Sequence, residues 1–152
     1  MLRVMLASLH LLALSLGMMA VVMRGSALRE DPTIASLRRA FRMDAIWGIA
    51  AALWLFTGLW RLLGHTEKPT DYYFHNHWFL LKMSLFVLIL LLEIGPMLTL
   101  MQWRKAVRNG AAPATLVSPA AGKRIAIISH IEATLGLAMV IAAAAMARGY
   151  GI

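Results

Sequence analysis

The chain has 152 residues, 61% hydrophobic and 14% charged, with a mean hydropathy of +0.71. A soluble domain carries about 25% charged residues, so too little polar surface is available to coat a water-soluble globule. The net charge of +8 comes without interleaved basic and aromatic residues, which argues against a nucleic-acid partner. The absence of cysteine excludes disulfides, iron–sulfur clusters and covalent haem attachment.

Four apolar runs follow one another, at about 4–23, 45–63, 78–101 and 125–147. The first is long enough to rise about 30 Å as a helix, the thickness of a bilayer's hydrocarbon core. It exceeds the roughly 7–15 residues of a signal-peptide apolar region. It contains His10 and is followed by Arg24, Arg29, Arg38, Arg39 and Arg42. Between the first two runs, 32–41 reads as a short interfacial helix, with Leu37 and Phe41 on one side and arginines beside them.

The second run ends at Arg61, a residue placed to snorkel. The next loop carries His65, Asp71, His75 and His77 among Tyr72, Tyr73 and Phe74. In an extended segment His75 and His77 would share a side and could bind copper or zinc; in a helix they would diverge. The third run contains Lys82, Glu93 and Pro96, the last tolerable in a membrane helix. Residues 110–119 read as a flexible connector, and the fourth run holds His130 and Glu132.

These features predict an all-α, integral membrane four-helix bundle forming a single transmembrane domain over 1–152. The loops after the first and third runs hold ten basic residues, against four on the other side. Basic loops stay in the cytoplasm, which puts both termini on the outer, periplasmic side of a multi-pass protein of the bacterial inner membrane. Gly48 with Ala52, and Ala138 with Ala142, mark places where helices could approach closely.

Ionisable groups inside a bilayer are costly and are functional candidates by default. His10 lies about 9 Å and Lys82 about 6 Å below the outer boundary, so the two share a layer. Glu93, His130 and Glu132 form a second layer in the cytoplasmic half. His10 and His130 are separated by roughly 13 Å along the membrane normal, too far to ligate one iron from opposite faces. Lys82 and Glu93 share a face of the third helix about 16 Å apart, so each needs a partner from another element. His130 and Glu132 point roughly 200° apart around the fourth.

Bundle cores commonly build cofactor sites between facing helices. His10 is therefore a candidate axial haem ligand, or else a neutral histidine bonded to a neighbouring helix. Lys82 is placed to contact a propionate, a substrate carboxylate or the metal, or to snorkel. His130 and Glu132 could carry protons or hold a second cofactor, or simply be solvated. The eleven methionines show no distinctive spacing with histidine and read as packing residues.

The run 6–10 ending at His10, Gly58-Leu59-Trp60-Arg61, His75-Asn76-His77-Trp78 with Lys82, and Ala145 to Gly149 resemble a bacterial family of small membrane proteins of unknown function. More distantly, the chain resembles the HemJ-type protoporphyrinogen oxidase and the CopD copper-resistance family. In the HemJ type a histidine of the first helix ligates haem and a lysine of a later helix follows a tryptophan. That resemblance puts these roles on His10 and Lys82, and it also matches Arg38, Arg39 and Glu132. Leu80 and Glu93 stand where further histidines would be expected.

The resulting expectation is a haem b-binding membrane protein with an electron-transfer or oxidoreductase role. His10 would ligate the haem iron, with Lys82 and His130 as further cofactor-binding residues. Lys82, Glu93 and Glu132 would be the catalytic groups. A porphyrin or quinone-like molecule is the implied substrate, and membrane lipid the surrounding partner. The alternatives are a non-enzymatic subunit or assembly factor, in a homo-oligomer or larger membrane complex, and a copper-handling protein.

Overall fold

The computed structural model describes residues 1–64 and 70–150. His65 lies outside the described residues. Four long helices dominate: α1 (Leu2–Ala27), α2 (Ile34–Leu63), α4 (His77–Arg108) and α6 (Pro119–Ala147). Two short ones, α3 (Thr70–Phe74) and α5 (Pro113–Leu116), lie in the connections. All four long helices are long and apolar enough to cross a membrane, and no strand occurs among the described residues.

Each long helix outruns its apolar run, and local sequence sets where it starts. Thr33 caps α2 in a reciprocal pair with Ser36: each backbone N–H donates to the other's hydroxyl, at 3.0 and 3.1 Å. The stretch 32–41 is therefore not a separate interfacial helix. From Ile34 onward it is the first part of α2, because the cap launches the helix well before the apolar run begins. The buried Asn76 caps α4 by accepting from the Trp78 and Phe79 N–H groups, and its amide donates to the Tyr150 carbonyl at 3.0 Å. Ser118 caps α6, with Pro119 at the first helical position. Pro96 is buried inside α4 and does not interrupt it.

α1 packs along α2 on one side and α6 on the other, and α6 packs against α4. α2 and α4 meet only sparingly. Close approach depends on glycines of α1. A Cβ at Gly17 would stand 2.9 Å from the Trp47 ring, and one at Gly25 would stand 3.0 Å from Ser129 Cβ. The Gly48–Ala52 pair does not act this way: both residues are exposed, and Gly48 has nothing near it.

The main apolar cluster lies at the end bearing the basic loops. Ala27, Leu28, Leu37, Phe41, Leu100 and Trp103 pack there with Val117 and Ile125. Elsewhere the outward faces of the helices are apolar and exposed, as in Ile49, Leu53, Phe56, Leu91 and Ile141. In water this surface would be a severe liability, but against acyl chains it is the expected solvent face.

Candidate functional site

The ionisable residues of the helices resolve into two groups, one toward each end of the bundle. Toward the end bearing the termini, His10 of α1, Trp54 and Arg61 of α2, Lys82 of α4 and Met139 of α6 line one cavity of about 500 Å³. Each long helix thus contributes to the wall. A smaller space of about 80 Å³, between α2 and α4, shares His10, Trp54, Lys82 and Met139 with it. The expected meeting of His10 and Lys82 in one layer corresponds to this shared cavity.

The His10 ring is fixed by its neighbours. Its Nδ1 lies 2.9 Å from Thr57 Oγ1. That hydroxyl also sits 2.8 Å from the Leu53 carbonyl and 3.1 Å from the Trp54 carbonyl. Carbonyl oxygens carry no hydrogen, so the one hydroxyl proton of Thr57 points at the backbone. Toward His10 the hydroxyl must accept, which places a proton on Nδ1. In the neutral ring Nε2 is then left with its lone pair. Gly58 allows the ring this position: a Cβ there would stand 3.2 Å from His10 Cε1.

Aromatic rings complete the wall. Trp54 lies against His10 with centroids 5.5 Å apart and meets Phe86 edge-on at 5.3 Å. Its indole Nε1 is buried without an acceptor, although a buried indole N–H usually finds one. Lys82 reaches over the Phe79 ring at 5.1 Å. The cavity thus combines an imidazole lone pair, flat apolar walls and two cationic side chains.

The second group centres on Arg24, and here the sequence-based expectation is corrected. Arg24 is not a loop residue. It lies within α1, fully buried, because side chains from the other three long helices converge on it. Its Nη1 contacts Asp44 Oδ1 at 3.0 Å and Glu93 Oε1 at 2.6 Å; its Nη2 contacts Glu93 Oε2 and Glu132 Oε2, both at 2.8 Å. Its Nε donates to Ser129 Oγ at 3.1 Å. Glu93 and Glu132 therefore do meet, but at Arg24 and away from the cavity wall.

His130 belongs to neither group. It turns toward Gly25, with Nδ1 2.6 Å from the Ala126 carbonyl. His75 and His77 are exposed on either side of the Asn76 cap, and His75 Nδ1 bonds the Asp71 carbonyl at 2.9 Å. No three His, Asp or Glu side chains are arranged to hold one metal ion among the described residues.

Sequence reasoning did not find Arg24, Asp44, Thr57 or Met139. An arginine next to a basic loop reads as part of it, and a helical threonine or methionine gives no signal of its own. Asp44, an acidic residue directly abutting an apolar run, was the available clue. No curated protein and no solved structure matches the chain. The sequence pattern of one family of predicted membrane proteins, DUF2214, matches residues 2–151, and the chain belongs to that family.

Proposed function

We propose that this membrane protein binds one b-type haem in the cavity around His10 and works in electron transfer or in oxidation of a membrane-soluble substrate. The observation that supports this most is the His10 ring itself: Nδ1 is held by Thr57, and Nε2 keeps its lone pair in a cavity wall. Axial histidines are commonly oriented in this manner, by a hydrogen bond from the other ring nitrogen.

The other lining residues fit such a group. Trp54 and Phe79 offer flat apolar surfaces, and Lys82 and Arg61 are cations of the kind that hold propionates. Met139 adds a thioether to the same wall. The haem iron would supply one-electron chemistry. Glu93 and Glu132 serve in this reading as electrostatic groups of the other half of the bundle rather than as groups touching the cofactor, and His130 has no part in it. We place the protein in the bacterial inner membrane with both termini outside.

The test is the absorption spectrum of detergent-purified protein from haem-replete cells, beside His10→Ala of unchanged helix content. The wild type should show a haem band that the variant loses. A wild type without any such band would end the proposal.

A further inference from the structure

We propose that Glu93 and Glu132 share one bound proton, which makes the Arg24 cluster a proton-binding site in the basic half of the bundle. The inference does not depend on what fills the cavity around His10.

A guanidinium has five N–H groups. Those of Arg24 go to Ser129 Oγ, Asp44 Oδ1, both oxygens of Glu93 and Oε2 of Glu132. None is left for Glu132 Oε1, which is buried with no hydrogen-bond partner. Glu132 is the most enclosed of the three acids, with its side chain entirely buried. Ionised carboxylates only accept, and the two acids already take one hydrogen each from the same Arg24 nitrogen, both at 2.8 Å. The element missing at Glu132 Oε1 is a further donor.

The count of charges gives the same answer. Three carboxylates face Arg24. Arg104, 3.5 Å from Asp44 and half exposed, is the other cation in contact with the cluster. From α1 the cluster thus receives Arg24, from α2 Asp44, from α4 Glu93 and Arg104, and from α6 Ser129 and Glu132. His130, the nearest titratable neighbour on α6, turns to Gly25 instead. One negative charge is in surplus, and a surplus charge in a low-dielectric interior is expensive.

A trapped water could donate to Glu132 Oε1 but would leave the surplus charge. A metal cation would answer the charge, but no group of ligating side chains suited to a metal occurs among the described residues. A proton answers both counts. Glu93 keeps an exposed edge of 16% where Glu132 keeps none, so Glu93 is the more open end of the pair.

The test is infrared spectroscopy of the full-length protein in lipid at neutral pH. The wild type should show the C=O stretch of a protonated carboxylic acid, shifting on exchange into D2O. Because the proton is shared, Glu93→Gln and Glu132→Gln should each abolish the band completely, the remaining acid ionising against Arg24. A wild type without the band, the result expected of a water in that place, would overturn the proposal. So would a band that survives either substitution. The wild-type measurement decides even if one variant fails to fold.

Discussion

A hydroxyl hydrogen can serve one strong bond, and at Thr57 that limit decides the chemistry of a neighbouring residue. Because the proton is committed to the backbone, Thr57 sets the tautomer of His10. Thr57→Val keeps the shape and removes the acceptor. If the cavity holds haem as proposed, the affinity should fall about 10- to 100-fold, the usual cost of losing such a support, with His10 still in place; haem titration of the purified variant measures it. Unchanged affinity would mean that the hydroxyl does not orient the ligand. At this scale the sequence was half legible. Depth arithmetic placed His10 and Lys82 in one layer because both interrupt long apolar runs. Thr57 was invisible, since a threonine inside such a run costs little and marks nothing.

Between elements, Arg24 does what no loop does. One side chain of α1 holds Asp44 of α2, Glu93 of α4 and Glu132 of α6. Buried ion pairs add little net stability over apolar packing, but breaking one by removing a partner costs about 3–5 kcal/mol. Arg24→Leu strands three carboxylates in the bundle. It should lower unfolding stability by about that amount, read by denaturant titration of helix content in detergent micelles. A loss below about 1 kcal/mol, the scale of an exposed pair, would show the cluster to be far wetter than its burial indicates. The apolar runs located all four long helices, since about twenty residues with few or no charges have few other uses. They missed the helix ends. The cap at Thr33 starts α2 well before its apolar run and so takes in Asp44, and α1 runs on past its own apolar run through Arg24, where the positive-inside rule counts a charge without asking what neutralises it.

For the molecule as a whole, the proposed orientation rests on the balance of charges. With Arg24 moved into the bundle, nine basic residues remain on the two basic loops and the adjoining helix ends, against four opposite. The cysteine-free chain makes this directly measurable. In intact cells a membrane-impermeant thiol reagent should label Phe74→Cys and Tyr150→Cys, and should leave Arg38→Cys unlabelled until the membrane is opened. The reverse pattern would invert the topology without touching the fold.

The sparse contact between α2 and α4 has a consequence for access. On that side the smaller space beside His10 is lined by residues of both helices, among them Leu55, Leu59 and Met83 beside the Trp54 and Phe86 rings. Side-chain rotamers turn over far faster than helices move apart. Between the acyl-chain phase and the imidazole stand side chains that can turn, while Arg24 ties the helices together at the far end. A guest dissolved in the bilayer could pass without any helix giving way.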